Sequence, residues 1–403
     1  MKKLGQEIKG GVTAVKGFTA SGLFAGIKKN KQLDMALIVS DRPCIVAALF
    51  TKNRFPAAPI LLTQRHFRKG ICQAIIANSG NANAFTGCRG DEDAATMANG
   101  VAEQLGIPPG YVCVASTGVI GEPLPIHKIA EAIPLLIPRL SETGGTEAAQ
   151  AIMTTDTFHK EVAYTDGKGR SEIRVGGMAK GSGMIHPNMA TMLAFLTTNV
   201  AITVPLLKEG LKLAADQSFN RISVDGETST NDLVVCMANG SGPKISSKGI
   251  AYQRFVALLT AASCSLAKMI VQDGEGATKQ IQVTVEGAPH DKAAHRVAEK
   301  VACSPLVKTA FFAEDANWGR IVAAIGNAGV AVSPEKLDLS FDVVVLVKAG
   351  EYQGEAVALK VATVLKQREI RLTIHLHSGV GRATVWTSDL SYDYVKINAA
   401  YRT

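Results

Sequence analysis

A glycine-rich segment runs directly into an apolar segment near the middle of the chain. Gly181, Gly183 and Pro187 favour a loop, whereas residues 192–196 form a short apolar run that is typical of a buried strand. Thr191 therefore lies where a loop is predicted to enter a sheet, at the end of a rigid element. The pattern predicts a fold with a buried sheet and a hydroxyl group at the head of one of its strands.

Two interpretations of Thr191 are open on this pattern. In the first, its hydroxyl attacks the unhindered carbonyl of Ala190, the peptide becomes an ester, and hydrolysis leaves Thr191 with a free α-amine. An α-amine has a pKa of about 7.7 to 8.0, so part of it is neutral near pH 7 and can accept the hydroxyl proton. Thr191 would then be nucleophile and base in one residue. In the second interpretation, Thr191 merely fills a strand position.

The composition indicates a globular α/β protein. The chain has 403 residues, 47% of them hydrophobic, which is enough for the core of one large domain or two coupled ones. Its 38 glycines favour tight turns and loop-built sites in a layered α/β fold. The net charge is +8, but no basic run is interleaved with aromatic residues, so we expect no nucleic-acid partner.

The cysteine and hydropathy patterns predict a cytoplasmic protein without a metal site. No Cys-x-x-Cys pair occurs, so neither a zinc site nor a disulfide framework is indicated. No apolar stretch of signal-peptide length follows the basic start, and polar residues interrupt the uncharged residues 181–207 too often for a membrane span. We expect mostly buried thiols in a reducing compartment; the cysteines are Cys44, Cys72, Cys88, Cys113, Cys236, Cys264 and Cys303.

Short apolar runs and helical periodicity predict alternating strands and helices. The strand at residues 112–115 is predicted to present Ser116, Thr117 and Gly118 at its carboxyl end. Strands are predicted at residues 34–39, 45–50, 74–77, 112–115, 192–196, 280–285, 339–347, 357–364 and 370–376, and helices at 91–105, from Thr203 onward, and at 252–270.

Six motifs are spread in order over nearly the whole chain. They are residues 78–83 (NSGNAN), 116–121 (STGVIG), 177–198 around Thr191, 225–232 (DGETSTND), 273–279 (DGEGATK) and 398–403 (NAAYRT). Together they resemble the glutamate/ornithine N-acetyltransferase family of arginine biosynthesis, whose members cut their own chain. Asn199 departs from the pattern, since many relatives have Asp there, but it lies past the nucleophile.

The resemblance implies a fold, an activity and an assembly. The fold is a layered α/β/β/α sandwich similar to N-terminal-nucleophile hydrolases but differently connected. Cleavage between Ala190 and Thr191 gives an alpha chain, residues 1–190, and a beta chain, residues 191–403, which form one intertwined body and associate as an α2β2 heterotetramer. Acetyl moves from N2-acetyl-L-ornithine to L-glutamate by a ping-pong route through acetyl-Thr191, with no coenzyme. Some members also use acetyl-CoA as donor, and the motifs do not separate the two kinds.

Residues for the chemistry follow from the same motifs. Acyl transfer passes through an oxyanion that needs hydrogen-bond donors, and the Thr117 hydroxyl and the Gly118 N–H are candidates. Without the resemblance, an ordinary strand-to-loop turn is the favoured interpretation. Lys180 suits a substrate carboxylate and Glu275 an ammonium, although either charge alone could be solvated surface. The resemblance implies the oxyanion role for Thr117 and Gly118, and it implies these substrate contacts: Thr154, Lys180, Thr191, Glu275, Asn398 and Thr403.

Two other functions fit parts of the sequence. An N-terminal-nucleophile aminopeptidase or amidase would use the same threonine but pass the acyl group to water. A phosphate- or nucleotide-binding module would use the loop after Lys180 or residues 274–279, but neither has the spacing of a P-loop, and the second contains Glu275. The remaining motif acids have no matching His ligands and are predicted as turn caps and hydrogen-bond acceptors: Asp156, Asp225, Glu227, Asp232 and Asp273.

Overall fold

The computed structural model describes residues 5–186 and 192–400, so Ala190, Thr191 and Thr403 lie outside the described part of the chain. The strands are β1 (Gln6–Ile8), β2 (Phe18–Leu23), β3 (Met35–Phe50), β4 (Ile71–Asn81), β5 (Val112–Val119), β6 (Lys160–Asp166), β7 (Ile173–Lys180), β8 (Leu193–Thr198), β9 (Ala201–Ile202), β10 (Ile222–Ser223), β11 (Leu233–Ala238), β12 (Lys244–Ile245), β13 (Gln280–Ala288), β14 (Asp338–Phe341), β15 (Val344–Lys348), β16 (Glu351–Tyr352), β17 (Glu369–His375) and β18 (Gly381–Ser388). The helices are α1 (Ala58–His66), α2 (Gly87–Leu105), α3 (Ile126–Leu136), α4 (Gly145–Ala151), α5 (Val204–Asp216), α6 (Ile250–Gln272), α7 (Asp291–Ala302), α8 (Pro305–Phe312), α9 (Trp318–Gly326), α10 (Glu355–Leu365) and α11 (Tyr392–Ala400).

A mixed sheet folds over on itself and forms the two inner layers of a sandwich. Within the described residues it has nine strands in the order β1-β6-β7-β8-β11-β3-β4-β5, with β2 also paired to β3. The 16-residue β3 belongs to both halves, because its first part pairs with β2 and its second part with β11. Its pairing with β4 is irregular between Val39 and Cys44, where the strand bends.

Successive residues of these strands point into different apolar layers. Ile75 of β4 and Phe195 of β8 belong to one core, between the two halves of the sheet. The next residue of each strand faces outward: Ile76 packs with α1, α2 and α3, and Leu196 packs with α5 and α6. The layers are therefore helix, sheet, sheet and helix, which confirms the α/β/β/α sandwich predicted from the sequence.

A second sheet packs against a separate hydrophobic core. In the described chain it has seven strands in the order β10-β18-β13-β17-β14-β15-β16, and α7, α8, α9 and α10 cover one of its faces. The 225–232 motif connects β10 of this sheet to β11 of the first sheet. This motif therefore lies at the junction of the two sheets. A short parallel pair, β9 and β12, stands apart from both.

The helix α6 has the length and the mean hydropathy, 1.6, of a membrane-spanning helix. Its apolar side is nevertheless part of the protein core, where Leu259, Leu266 and Ile270 are fully buried. Its length and composition are therefore those of a helix that covers a sheet, and the sequence prediction of a helix at residues 252–270 is confirmed.

Two predicted strands are wrong. Residues 357–364 form most of the helix α10, in which Val361 and Val364 recur at helical spacing and pack on the second sheet. The helix starts after Gly354, whose φ of 89° interrupts the preceding strand β16. Residues 339–347 are two strands of a hairpin, β14 and β15, because Asp342 takes a left-handed φ of 49° at the turn.

Two predicted boundaries also need correction. The strands predicted at 34–39 and 45–50 are the two parts of the single strand β3. Ser116, Thr117 and Gly118 lie within β5, since the pairing with β4 continues past residue 115. They are therefore paired within the sheet, where the register becomes irregular at Asn81 of β4, and they do not form a turn after the strand.

Candidate active site

Six residues that the sequence singled out line one cavity of about 130 Å³. They come from β5, the loop after α4, β7, the 273–279 motif and α11; they are Thr117, Gly118, Thr154, Lys180, Glu275 and Asn398. Thr191 and Thr403 lie outside the described residues, so their places in this site stay predictions. Residues that the sequence did not assign to substrate also line the cavity; among them are Asp225, Glu227, Ser229, Asn231 and Tyr394.

Lys180 supplies the cation of the cavity. It ends β7, and only 4% of its surface is exposed. Its Nζ donates hydrogen bonds to Thr154 Oγ1 at 2.7 Å and to Thr117 Oγ1 at 3.3 Å. Burial lowers the pKa of Lys180, and the neighbouring Asp156 carboxylate opposes that shift. The ammonium is thus aimed at two hydroxyls on the cavity wall.

Thr117 and Gly118 lie at the carboxyl end of β5, next to Ser79 and Gly80 of β4. Because Thr117 Oγ1 accepts a hydrogen bond from Lys180, its own proton is available to donate to another oxygen. Gly118 has a φ of +135°, and a Cβ there would lie 2.3 Å from the carbonyl carbon of Gly80. Close packing of the two strands therefore requires glycine at this position.

A buried ion network lies behind Lys180. Lys160 is fully buried, and its Nζ contacts Asp156 Oδ1 at 2.7 Å and also Asp273 Oδ2. Burial opposes ionisation of Asp156, but Lys160 and Lys180 outweigh it and hold the pKa of that carboxyl below its usual range. Asp156 and Asp273 are hydrogen-bond acceptors, as the sequence predicted, and both also form buried ion pairs with Lys160.

Asp156 also fixes the backbone on both sides of the cation. Its carboxylate accepts hydrogen bonds from the N–H of Thr154 at 2.9 Å and from the N–H of Gly181 at 2.8 Å. The loop that carries Thr154 is thereby tied to the end of β7. This arrangement explains how the Thr154 hydroxyl comes within hydrogen-bond distance of Lys180.

Glu275 supplies a carboxylate on another part of the wall. Its N–H donates to the carbonyl of Ser182 at 3.0 Å, and its Oε2 accepts a hydrogen bond from Asn398 Nδ2 at 2.8 Å. The carboxylate lies directly over Gly183, where a Cβ would come within 2.3 Å of Oε2. The glycine-rich loop thus leaves room for an acidic side chain, and α11 holds that side chain in place.

Asp225 joins the loop before residue 187 to the C-terminal helix. It accepts hydrogen bonds from the N–H of Met184 at 2.6 Å and of Ile185 at 2.8 Å, and the Tyr394 hydroxyl lies 3.4 Å from Oδ2. Burial raises the pKa of Asp225 and also that of Tyr394. The sequence prediction of Asp225 as a hydrogen-bond acceptor is confirmed.

The end of the 225–232 motif holds neighbouring strands together. Asn231 donates to the carbonyl oxygens of Ala82 at 2.7 Å and Ser116 at 2.8 Å. Asp232 accepts a hydrogen bond from the N–H of Met192 at 3.1 Å, as expected of an acceptor. The motif therefore fixes the start of β8 next to the carboxyl end of β5.

The cavity combines one cation with carboxylates at other points of its wall. Lys180 supplies a positive charge and Glu275, Asp225 and Glu227 supply carboxyl groups, which together suit a ligand that carries both a carboxylate and an ammonium, such as an amino acid. Throughout the described ranges, no group of three or more His, Cys, Asp or Glu side chains is placed to hold a metal ion.

Comparisons with known proteins agree with the motif pattern. The model of the ArgJ family matches residues 19–403. The "Arginine biosynthesis bifunctional protein ArgJ" of Geobacter sulfurreducens is 51% identical over 391 residues, which are 96% of this chain and 100% of that protein. The protein of the same name from Symbiobacterium thermophilum is 49% identical and covers 98% of this chain and 99% of its own length.

Solved structures include two similar proteins. The argJ protein of Bacillus halodurans is 41% identical, with a TM-score of 0.49, over 51% of this chain and 98% of that one. The ornithine acetyltransferase of Mycobacterium tuberculosis, solved with ornithine, is 40% identical, with a TM-score of 0.43, over 45% of this chain and 97% of that one. The family match and the identity over nearly the full length of the relatives confirm the resemblance, and the chain belongs to the ArgJ family.

Proposed function

We propose that this chain is an acetyltransferase of arginine biosynthesis that moves acetyl from N2-acetyl-L-ornithine to L-glutamate. The observation that carries the proposal is the convergence of Thr117, Gly118, Lys180 and Glu275 on one cavity. Such a cavity offers donors for an oxyanion, a cation for a carboxylate and an anion for an amine. The names of the relatives, which are bifunctional proteins of arginine biosynthesis, support the same pathway.

The nucleophile in this proposal is Thr191 after self-cleavage. Its hydroxyl attacks the carbonyl of Ala190, the bond from that carbonyl to the Thr191 nitrogen breaks, and the hydroxyl proton passes to the nitrogen. Water then hydrolyses the ester and leaves a free α-amine. Chain connectivity supports the proposal that Thr191 acts at the cavity, because Leu193, two residues later, pairs with Lys180 of the cavity wall.

The acetyl transfer then proceeds in two halves. The α-amine takes the proton of the Thr191 hydroxyl, the oxygen attacks the acetyl carbonyl, and the Thr117 hydroxyl and Gly118 N–H stabilise the oxyanion. The amide bond breaks, the proton passes to the leaving nitrogen, and ornithine departs. The amine of glutamate then attacks the acetyl ester, the bond from the acetyl carbon to the Thr191 oxygen breaks, and a proton of the attacking amine passes through the α-amine to that oxygen. One difficult transfer is thus divided into two easier ones.

Substrate binding uses the charges of the wall. Lys180 binds the α-carboxylate that both substrates carry, and Thr154 holds the lysine in place. Glu275, fixed by Asn398, binds the side-chain ammonium of ornithine. Thr403 completes the contacts in this proposal, and acetyl-CoA serves as a second acetyl donor without being a resident cofactor.

The assembly is also part of the proposal. The pairing of β7 with β8 joins residues on the two sides of the cleavage point in one sheet, so the alpha and beta chains stay together. We expect two such pairs to form an α2β2 heterotetramer that acts in the cytoplasm.

A transfer assay separates this function from its alternatives. The purified protein is incubated with N-acetylornithine labelled in the acetyl group, with and without glutamate. We expect labelled N-acetylglutamate that depends on glutamate. Release of free acetate at a rate that glutamate leaves unchanged would instead identify an amidase, and tight ATP binding without transfer would identify a nucleotide-binding protein.

A further inference from the structure

The proposed reaction requires one cavity to accept two different side chains. Ornithine and glutamate both bring an α-amine to the same acetyl group and an α-carboxylate to Lys180, so their side chains extend to the same part of the wall. The side chain of ornithine ends in an ammonium, whereas that of glutamate ends in a carboxylate. The wall therefore has to suit both charges.

The carboxyl groups of the wall suit the ammonium and disfavour the carboxylate. Asp225, Glu227 and Glu275 all line the cavity. Like charges that face one another oppose binding, so these groups repel the γ-carboxylate of glutamate. A hydrogen-bond donor among the three carboxyl groups is needed to offset that repulsion.

Tyr394 places a hydroxyl among these three carboxyl groups. The residue lies on α11 and lines the cavity. Burial raises the pKa of Tyr394, and the charges of the three carboxyl groups raise it further. Because the ordinary pKa of a tyrosine is already about 10, the hydroxyl carries its proton at neutral pH and is a donor.

The hydrogen bond of the Tyr394 hydroxyl is long and can be exchanged for another. Its oxygen lies 3.4 Å from Asp225 Oδ2, beyond the range of about 2.5 to 3.0 Å that is usual between two oxygens. Asp225 does not depend on this bond, because its two oxygens accept the N–H groups of Met184 and Ile185 at 2.6 and 2.8 Å. The Tyr394 proton can therefore turn to a ligand oxygen at little cost.

The side-chain amides of the cavity wall are less available as donors. Asn398 Nδ2 donates to Glu275 Oε2 at 2.8 Å and to the carbonyl of Tyr394 at 3.0 Å, so both of its N–H groups are used. Asn231 Nδ2 likewise donates to two backbone carbonyls, at 2.7 and 2.8 Å. A ligand carboxylate can take a proton from either amide only by breaking one of these bonds.

We propose that Tyr394 lets the cavity accept glutamate, by donating a hydrogen bond from its hydroxyl to the γ-carboxylate. The inference rests on the proposed function and names a specificity-determining residue for its acceptor. With ornithine in the cavity, the hydroxyl stays with Asp225 and the carboxyl groups face the ammonium. With glutamate, the hydroxyl turns from Asp225 to the ligand. One hydroxyl thus adapts the same wall to both side chains.

Two acceptors measured on the same enzyme test this role. N-acetylornithine is the donor, and the acceptor is either glutamate or isotope-labelled ornithine, whose entry into N-acetylornithine needs no side-chain carboxylate. In Tyr394→Phe, which removes only the hydroxyl, kcat/KM for glutamate should fall about tenfold to 100-fold more than kcat/KM for ornithine, the worth of a hydrogen bond to a charged group. The extra loss should appear mainly as a higher KM for glutamate.

The ratio of the two kcat/KM values separates a ligand contact from a structural effect. A disturbed α11 would lower the values for both acceptors alike. Equal losses, or values that stay as in the wild type, would therefore overturn the inference. If the wild type transfers acetyl to neither acceptor, the proposed function itself is wrong.

A matched control removes a hydroxyl from the same helix. Tyr392 is 83% exposed, its ring packs edge-on against Phe312, and it lies outside the cavity lining. Tyr392→Phe should keep the wild-type ratio of the two acceptors. If it shifts the ratio as Tyr394→Phe does, the effect does not come from the cavity and the inference is wrong.

A measurement on the wild type keeps the inference testable if Tyr394→Phe does not fold. The chain has seven tyrosines, and a 13C label on the Cζ carbon of each reports the hydrogen bonding of its hydroxyl in an NMR spectrum. Titration with glutamate should shift one of these signals in a way that titration with ornithine does not. If no tyrosine signal distinguishes the two ligands, the role of Tyr394 is overturned.

Discussion

At Gly118, the packing of the sheet and the proposed chemistry depend on the same residue. Gly118→Ala should lower stability by about 1 to 3 kcal/mol, because the new Cβ would lie 2.3 Å from the Gly80 backbone. It should also lower kcat/KM on the order of 100-fold, since the shift of β5 moves the proposed oxyanion donor. Thermal unfolding and transfer assays measure both effects. Gly110→Ala is the control, because a Cβ there meets nothing within 4 Å. Similar results for the two variants would contradict the packing argument.

Lys180 is expected to bind the substrate carboxylate. Lys180→Gln removes the charge but keeps a hydrogen-bond donor, so we expect KM to rise and kcat/KM to fall by about tenfold to 100-fold, the worth of a charged hydrogen bond. The control Lys244→Gln changes an exposed lysine outside the cavity. Steady-state kinetics at saturating glutamate measures the change. A cleaved, folded Lys180→Gln enzyme with unaltered KM would assign the carboxylate to another residue.

Lys160 stabilises the site through buried charge. Lys160→Met leaves Asp156 and Asp273 buried without their cation, which should cost about 3 to 5 kcal/mol. Lys212→Met breaks a pair of the same i,i+4 spacing, Lys212 with Asp216, that is largely exposed, and should cost less than about 1 kcal/mol. Melting temperatures at neutral pH compare the two. Equal losses of melting temperature in the two variants would show that burial does not make the ion pairs of Lys160 more important for stability than an exposed pair.

The same network predicts a pH dependence. The pKa of Asp156 lies below its unfolded value of 3.8, so its contribution to stability is present above about pH 4 and is lost as the pH falls further. The difference in melting temperature between wild type and Lys160→Met should therefore shrink between pH 7 and pH 3. A difference that stays constant would mean that Asp156 is not held ionised by Lys160.

The sequence predicts the residues that line the cavity better than the residues that hold them in position. Glu275 and Lys180 were found because motifs mark them, and the structure brings both to one cavity. Lys160 was missed although Asp156 lies only four residues before it, because no helix is predicted there to bring the two together and its other partner, Asp273, is 113 residues away. Tyr394 was missed for the same reason, since only the docking of α11 brings it to Asp225.

At the scale of elements, α11 acts as part of the cavity wall although none of its residues is buried. Asn398→Ala removes the hydrogen bond to Glu275, so we expect KM for N-acetylornithine to rise by about three- to tenfold with a smaller change in kcat. The control Val395→Ala changes an exposed residue of the same helix. If both variants keep the wild-type KM, α11 does not position Glu275 for substrate.

Strands and helices with a clear apolar pattern were predicted correctly, whereas α10, which is rich in valine, was not. Strands such as β8 and β13 follow directly from short apolar runs, and α5 follows from Thr203 and Pro205 at its start. The helix α10 was mistaken for a strand because its valines are β-branched, and β-branched residues favour strands. Tertiary packing of Val361 on the second sheet outweighs that local preference.

At the scale of the whole molecule, the first sheet contains strands from both sides of the proposed cleavage point. β7 lies before it and β8 and β11 lie after it, and all three are paired in one buried layer. We expect the two fragments of the wild type to elute together in size-exclusion chromatography and to separate only in denaturant. Thr191→Ala should elute in the same position as one chain. Fragments that separate without denaturant would contradict the shared sheet.

Intact mass spectrometry of the purified wild-type protein tests the central claim most directly. The account predicts that the 42.4 kDa chain is recovered as two polypeptides, residues 1–190 and 191–403, the second beginning with Thr191, and that brief exposure to N-acetylornithine adds one acetyl group to the second. A continuous, unmodified chain that nevertheless transfers acetyl to glutamate would contradict it.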